Sequence, residues 1–282
     1  MSIVEKLVEL IRETSSSLPE DVEKALVRAA RREAKGSSAA VVLKTIVENV
    51  KLARRQATPL CQDTGTLTFF VDESLRKKVT PAVLKAAVAE ATAKGCLRKN
   101  CIDSVTGRSY DDNCADGAPV VHYVAGGSRG RVTLVMKGGG SENMSRQYSL
   151  PDATLGAGRD LEGVRKCVLD AVQKTQGYGC APGILGVAIG GDRATGYEVA
   201  KEQLLRPLDE GGRESGSGDR LRRLEKRILK EANSLGIGPM GLGGRTTLLG
   251  VKVAARPRVP ASFFVTVAYM CWACRRRTVE IG

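Results

Sequence analysis

The stretch Cys61-Gln62-Asp63-Thr64-Gly65-Thr66 places a thiol, an amide and a carboxylate on one short turn. A helical pattern of polar and apolar residues precedes it, and the apolar run from Leu67 to Val71 follows it as a predicted strand. A soft metal ligand beside two hydrogen-bonding groups suits a small polar substrate held at a metal. The turn therefore marks both the start of a sheet and a candidate chemical site.

Helical and strand patterns alternate on both sides of this turn. Residues 1–56 have the apolar spacing of helices, whereas the runs Arg131 to Lys137 and Ile184 to Gly190 are typical of strands. Gly138 to Ser145 is predicted as a loop. These patterns predict an α/β fold, with a mixed buried sheet surrounded by helices and a helical N-terminal region, in one domain spanning residues 1–282.

The C-terminal third continues the same alternation. A helix is predicted from Leu221 to Leu235, and the chain is expected to close with two strands, Thr246 to Ala254 and Ser262 to Met270. The Gly- and Ser-rich stretch from Asp209 to Asp219 is linker-like, but it is too short to predict a domain boundary.

The chain is basic, with 44 Lys and Arg against 31 Asp and Glu and a net charge of +13. Only residues 220–223 and 275–277 are densely basic, and aromatic residues make up 4% of the chain, so a base-stacking platform is not expected. The charge better suits a small dianionic substrate or an acidic partner. A non-catalytic basic protein with a metal site, binding nucleic acid or a partner, stays open as the alternative of another class.

No apolar run approaches the roughly 20 residues that a membrane-spanning helix needs. The start, Met1 to Lys6, has neither the basic nor the apolar region of a signal peptide. We therefore expect a soluble, cytoplasmic protein without a membrane partner.

Eight cysteines and a single histidine, His122, restrict the possible chemistry. A His-rich metal site or a Ser-His-Asp triad is nearly excluded. Cys180, between Gly179 and Pro182, and Cys271, at a predicted strand end, have unusual surroundings for cysteines. A buried, inert thiol is the usual alternative, and it fits Cys167 on an apolar helix face better than it fits a turn.

Four segments are richer in glycine than a core requires, and none has a phosphate-binding spacing. Their backbones can approach a ligand closely, which favours a shared cofactor site over four unrelated turns. The segments are 138–145, 177–183, 190–193 and 236–247.

Several of these motifs together resemble the class I (iron–sulfur) fumarase and tartrate dehydratase family. The resemblance covers nearly the whole chain, and the motifs stand in the family's order. The chain looks like the α subunit, or N-terminal catalytic domain, of the two-subunit form. The motifs are Cys61 to Thr66, Gly138 to Ser145, Cys180-Ala181-Pro182, Gly236-Ile237-Gly238-Pro239, and Pro260-Ala261-Ser262 ahead of Cys271.

The resemblance implies a cofactor and its ligands. In the family three cysteines hold a [4Fe-4S] cluster, and the matching residues are Cys61, Cys180 and Cys271. Cys274 lies three residues beyond the matching place and is taken as a neighbour. Three thiolates leave one iron without a protein ligand, and that iron can bind a substrate as a Lewis acid.

The resemblance also implies substrate contacts. Gln62 and Asp63 would contact the bound hydroxy acid, Arg98 would clamp a carboxylate, and Gly140 would offer its backbone. Asp63 is the expected catalytic residue. A surface role is the alternative for Arg98.

The implied reaction is the reversible dehydration of malate to fumarate, a step of the tricarboxylic acid cycle. Dehydration of L(+)-tartrate is the alternative within the class. The chain ends eleven residues after Cys271, and the family's base and several cations lie in a following β domain. A separate β subunit is therefore the expected partner, in a heterotetramer.

One residue departs from the family pattern. Val259-Pro260-Ala261-Ser262 stands where the family commonly has His-Pro-Ala-Ser, so Asp63 lacks the histidine that usually pairs with it. His122 matches a different position, and a core histidine with its hydrogen bonds satisfied is its expected role.

Overall fold

The computed structural model describes residues 1–125, 130–209 and 217–281. The chain forms two compact units. The first unit comprises Met1–Pro19, Glu48–Gly139 and Ala273–Gly282, and the second comprises Glu20–Val47 and Gly140–Trp272. Each unit contains its own four-stranded sheet and its own hydrophobic core.

The first unit is a mixed sheet with helices packed on it. Its strands lie in the order β2-β1-β3-β8, with β1 parallel to β2 and the other pairs antiparallel. Helix α1 contacts α4, β3 and β8. The elements are α1 (Ile3–Ser16), β1 (Thr66–Asp72), α4 (Pro81–Ala93), β2 (Val120–Val124), β3 (Arg131–Lys137) and β8 (Arg275–Glu280).

Local sequence explains where two of these helices begin. Ser2 and Glu5 form a capping box at the start of α1, each side chain accepting a hydrogen bond from the other residue's backbone N–H. Thr80 caps α4, and Pro81 occupies its first turn, where a missing N–H has no cost. Both helices place apolar side chains such as Ile11 and Leu84 in the core, which also holds Phe69 of β1.

The second unit contains most of the helices. Its sheet has the order β4-β7-β5-β6, with β5 parallel to β6 and the other pairs antiparallel. Its elements are α2 (Glu20–Arg32), the first part of α3 (Ser38–Gln56), α5 (Gly139–Glu142) from its second residue, β4 (Arg146–Ser149), α6 (Leu161–Thr175), β5 (Gly183–Gly190), α7 (Arg193–Gln203), α8 (Ser217–Ser234), β6 (Leu248–Arg256) and β7 (Phe264–Met270).

The central strand β5 is buried along its whole length. Leu185 and Val187 face the core that includes residues of α6 and α8. Gly186, on the opposite face, lies so close to the Ala200 carbonyl of α7 that a Cβ would collide with it. Helices on both faces explain why the strand is apolar at every position rather than at alternate ones.

The structure confirms the α/β class and the helical N-terminal region, where α1, α2 and α3 lie within residues 1–56. The mixed sheet is divided into two sheets, one in each unit. The assignment of residues 1–282 to one catalytic domain stays a prediction. Most of the linker-like stretch from Asp209 to Asp219, residues 210–216, lies outside the described residues.

Two predictions on secondary structure were wrong. Gly138 to Ser145 contains the short helix α5 rather than a continuous loop, and β4 follows it directly. The chain does not close with two strands, because Arg275–Glu280 forms a third, β8, paired antiparallel with β3. The densest basic run of the sequence is therefore part of a sheet.

None of the helices in the described ranges is both long enough and apolar enough to cross a membrane.

Gly65 is the glycine on which the start of β1 depends. Its φ is +77°, and a Cβ would lie 2.5 Å from the Lys137 carbonyl oxygen and 2.8 Å from the Gly138 nitrogen, both backbone atoms. Gly107 has a similar φ of +71°, but a Cβ there would have no neighbour within 4 Å.

We predict that Gly65→Ala lowers the free energy of unfolding by about 3 kcal/mol or more, since it adds a steric collision to backbone strain. Gly107→Ala, the matched control, should cost about 1 kcal/mol from strain alone. Urea denaturation of both variants measures the difference. Equal losses would show that the close approach to β3 is unimportant.

Candidate functional site

The carboxylate of Asp63 is held by three N–H donors within the first unit. Oδ1 accepts hydrogen bonds from the Gly65 amide at 2.9 Å and from Asn100 Nδ2 at 3.3 Å. Oδ2 accepts one from the Gly139 amide at 2.8 Å. The side chain therefore has a fixed orientation without the histidine that Val259 replaces.

A pocket of about 430 Å³ lies beside this carboxylate, also within the first unit. Gln62, Asp63, Arg98 and Asn100 line it, together with Gly139. Gln62 and Arg98 are exposed, and neither side chain has a hydrogen bond or an ion pair with any residue that the structure describes. An amide and a guanidinium group are thus available to a ligand next to an oriented carboxylate, an arrangement suited to a small hydroxy acid.

Asn113 holds the segment that carries Arg98. The side chain of Asn113 is 5% exposed and makes four hydrogen bonds. Its Oδ1 accepts from the backbone N–H groups of Asn100 at 2.7 Å and Cys101 at 3.0 Å. Its Nδ2 donates to the Arg98 carbonyl at 2.9 Å and to Thr92 Oγ1 at 3.0 Å. Asn113 has a φ of 60°, which asparagine tolerates better than most residues.

Cys180 and Cys271 lie close together within the second unit. The backbone N–H of Trp272, which follows Cys271, donates to the carbonyl of Cys180 at 3.3 Å. Both cysteines are near the buried side chain of Tyr269. Burial, followed by the negative charge of the Cys271 and Cys180 thiolates, raises the pKa of Tyr269 above its ordinary value.

Glycine and a left-handed backbone shape the turn that carries Cys180. Its φ is 52°, and it follows Gly179 and precedes the cis peptide bond between Ala181 and Pro182. A Cβ on Gly179 or Gly183 would collide with the ring of Tyr269. The glycines of this segment therefore make room for the aromatic ring beside the two cysteines.

Burial separates some of the remaining cysteines from the three candidate ligands. Cys61, Cys180 and Cys271 are partly exposed, as are Cys101 and Cys114. Cys167 is fully buried, as expected of an inert thiol, and burial raises its pKa to about 12. Cys274 is also buried, and its interpretation as a neighbour stays a prediction. Within residues 1–125, 130–209 and 217–281, no three His, Cys, Asp or Glu side chains form a group that could hold one metal ion.

The residues that the sequence suggested for the site lie in two groups, one in each unit. Gln62, Asp63 and Arg98 line one pocket in the first unit, and Cys61 directly precedes Gln62 and Asp63 on their turn. Cys180 and Cys271 form a pair in the second unit. Gly140 belongs to the second unit, is exposed, and has open space where a Cβ would be. Its glycine identity has no steric cause among the described residues.

The sequence reasoning missed Asn100, Asn113 and Tyr269. The two asparagines stand in a polar loop without periodicity, so nothing local separates them from solvent-exposed residues. Tyr269 could have been suspected because it lies two residues before Cys271, but an apolar strand such as β7 also explains it.

A sequence model of the family described as fumarate hydratase (fumerase) matches residues 4–280. The chain belongs to this family. The match spans both units, so both the Asp63 pocket and the Cys180–Cys271 pair lie inside the fumarase homology. The resemblance expected from the motifs is confirmed.

Individual relatives have two kinds of name. A Geobacillus stearothermophilus protein named as a class I fumarate hydratase is 49% identical over 285 residues, covering 99% of this chain and 55% of its own length. A Methanocaldococcus jannaschii protein named as an L(+)-tartrate dehydratase subunit alpha is 35% identical, covering 100% of this chain and 98% of its own. The subunit alpha of L(+)-tartrate dehydratase from Escherichia coli K12 is 30% identical, covering 99% and 91%.

These coverages describe the extent of the homology. The chain spans about half the length of the Geobacillus relative but nearly all of the two tartrate dehydratase α subunits. By length, this chain therefore corresponds to the α subunits rather than to the whole Geobacillus relative.

We predict that Asn113→Ala lowers the free energy of unfolding by about 3 kcal/mol, because it leaves several buried backbone groups without partners. The control is Asn49→Ala, which removes a single hydrogen bond from Nδ2 to the Leu60 carbonyl and should cost about 1 kcal/mol. Urea denaturation checks both values. A loss no larger than that of the control would contradict the role of Asn113 in holding the Arg98 segment.

Proposed function

We propose that this chain is the α subunit of an iron–sulfur hydro-lyase that interconverts malate and fumarate by reversible removal of water. The observation that carries the proposal is the pocket in which the uncommitted side chains of Gln62 and Arg98 flank the oriented carboxylate of Asp63. Membership of the fumarase family and 49% identity to a protein named as a class I fumarate hydratase support this choice of reaction.

Arg98 is proposed to bind a substrate carboxylate. Its guanidinium group presents two parallel N–H donors, which match the two oxygens of a carboxylate. Asn113 and Thr64 hold the Arg98 carbonyl, at 2.9 Å and 3.4 Å, so the backbone at this residue is restrained while its side chain remains available. Gln62 also lines this pocket and offers an amide donor. The backbone of Gly140 is a further proposed substrate contact.

Asp63 is proposed to act on the hydroxyl end of the substrate. Oδ2 accepts one hydrogen bond, from Gly139, and a carboxylate oxygen has a second lone pair. In the hydration direction that lone pair can accept a hydrogen bond from the incoming water and take one of its protons as the C–O bond forms, and in the dehydration direction it returns this proton to the departing hydroxyl group so that water is released. The fixed orientation set by Gly65 and Asn100 removes the need to order the carboxylate during the reaction.

Cys61, Cys180 and Cys271 are proposed to hold a [4Fe-4S] cluster. The donor set fits, since thiolates are the usual protein ligands of such clusters and these three cysteines are partly exposed. When bound, such a cluster supplies a Lewis acid for the departing hydroxide.

A β subunit is the proposed partner. Relatives that this chain matches over 91% to 98% of their length are named as α subunits, and the Geobacillus relative is nearly twice as long as the region it shares. Asp63 is assigned to the hydroxyl end of the substrate, so a second group is needed to take the proton from the neighbouring carbon. We propose that the β subunit supplies this base, in a cytoplasmic heterotetramer that serves the tricarboxylic acid cycle.

L(+)-tartrate is the second candidate substrate. The relatives that match this chain over almost their entire length are named for tartrate dehydratase. Tartrate differs from malate by one hydroxyl group, and the Asp63 pocket offers Asn100 as a further polar side chain near it. Nucleic-acid binding is disfavoured, because the 275–277 basic run belongs to strand β8.

We predict that Cys61→Ser, Cys180→Ser and Cys271→Ser each lose most of the iron and the brown colour of anaerobically purified protein, because each removes a thiolate ligand. Cys167→Ser, the matched control for a buried thiol, should retain both. Iron and sulfide analysis and the visible spectrum provide the measurement. Wild-type protein without iron, or full iron content in all three ligand variants, would refute the cluster assignment.

For the substrate, we predict that protein co-expressed with its β subunit converts malate to fumarate with a higher kcat/KM than it dehydrates L(+)-tartrate. Arg98→Met should lower kcat/KM by about 10- to 100-fold through loss of charge-assisted hydrogen bonds. Lys94→Met is the control, since Lys94 is an exposed cation paired with Glu90 outside the pocket. A preference for tartrate would reassign the substrate, and an unchanged Arg98 variant would remove Arg98 from the site.

A further inference from the structure

Arg275 is a buried arginine behind the Cys61–Asp63 turn. It is 1% exposed and is the largest fully buried side chain among the described residues. Its Nη2 donates to the backbone carbonyl of Asp63 at 2.8 Å. Its Nε and Nη1 are buried and have no hydrogen-bond partner in the part of the chain that the structure describes.

The sheet register explains how this cation enters the core. Arg275 of β8 pairs with Met136 of β3, which in turn pairs with Leu67 of β1. Paired residues of neighbouring strands have side chains on the same face, so Arg275 lies in the row of the buried Met136 and Leu67. Burying an arginine at this place lowers the stability of the folded protein unless a negative charge compensates it.

Arg275 has no ion pair with any carboxylate in the described ranges, and the Asp63 carboxylate is already bound by Gly65, Asn100 and Gly139. Only the neutral carbonyl of Asp63 contacts the guanidinium group. The two N–H groups without partners and the cation without an ion pair therefore point to an anion at the Cys61–Asp63 turn.

We propose that Arg275 is a positioning residue of the hydro-lyase site. It holds the main chain of the Cys61–Asp63 turn, and its positive charge compensates the negative charge of the Cys61 thiolate and the cluster attached to it. This inference rests on the proposed function, because the anion is the proposed cluster. It adds a cationic residue to a site whose other charged groups at that turn are a thiolate and a carboxylate.

The charge makes a testable difference to the cluster. A nearby cation stabilises the more negative, reduced form of a cluster and so raises its reduction potential. Residues around the direct ligands also commonly change metal affinity by about 10- to 100-fold. A side chain that acts through packing alone would affect neither property once the protein is folded.

The experiment compares three variants, each co-expressed with the β subunit and purified without oxygen. Arg275→Met removes the charge and keeps an apolar side chain, whereas Arg275→Lys keeps the charge and loses the planar fork. Arg277→Met is the matched control. Arg277 is two residues along β8 and contacts Ser17 and Glu13 of the N-terminal segment at 3.1 Å and 3.0 Å. The measurements are the cluster reduction potential, the rate of iron loss to a chelator, and kcat and KM separately.

In Arg275→Met we expect a lower reduction potential and about tenfold faster iron loss. Arg275→Lys should restore the potential, and Arg277→Met should match wild type in both. An unchanged potential and unchanged iron loss in a folded Arg275→Met protein would overturn the proposal. If Arg275→Met does not fold, the Arg275→Lys variant tests the proposal. A reduction potential well below that of wild type, despite the retained charge, would overturn the proposal, and a wild-type potential would support it.

Cluster-free protein separates this inference from the proposed function. Hydrogen exchange of the peptide containing Cys61, Asp63 and Gly65 should accelerate in Arg275→Met and not in Arg277→Met, because only the first loses its bond to the turn. If the wild-type protein binds no cluster but the two variants differ in exchange in this way, the proposed function is wrong, whereas the role of Arg275 in holding the turn is supported. If the exchange rates are equal, the positioning role fails irrespective of the cluster.

Discussion

The hydrogen bonds of Asp63 are the constraint on which the first unit's pocket depends. Donors reach its carboxylate from its own turn through Gly65, from the loop after Arg98 through Asn100, and from the end of β3 through Gly139. Three chain segments are therefore joined at one side chain. These segments form the walls of the pocket together with Asn113 and residues 117–120, so the carboxylate contributes to the shape of the pocket as well as to its chemistry.

Backbone geometry makes this convergence possible. Gly65 has a positive φ and lies against the Lys137 carbonyl, which allows the turn to approach the end of β3 closely enough for Gly139 to reach Asp63. Asn113 restrains another segment of the pocket, since its side chain binds the backbone of both Arg98 and Asn100. Polar groups that form hydrogen bonds with one another thus fix the arrangement of the pocket residues.

Much of the fold could be predicted from the sequence, because apolar periodicity and helix caps are local signals. Strands β4 and β8 escaped prediction for one physical reason: both are edge strands, which tolerate polar and charged residues that a central strand excludes. At the site, Cys61, Gln62, Asp63, Arg98, Cys180 and Cys271 were recognisable from motifs. Asn100, Asn113 and Arg275 were not, because their roles arise from partners that are distant in the chain.

The bond between the Trp272 N–H and the Cys180 carbonyl has a consequence for the lifetime of the proposed enzyme. Two cysteines of the second unit are held near each other by this backbone bond, and both lie near Tyr269. The entropy cost of bringing them together is met when the polypeptide folds. If they are ligands of the proposed cluster, protein that has lost the cluster keeps two of its three proposed ligands together, and the cluster could be rebuilt without the synthesis of new protein.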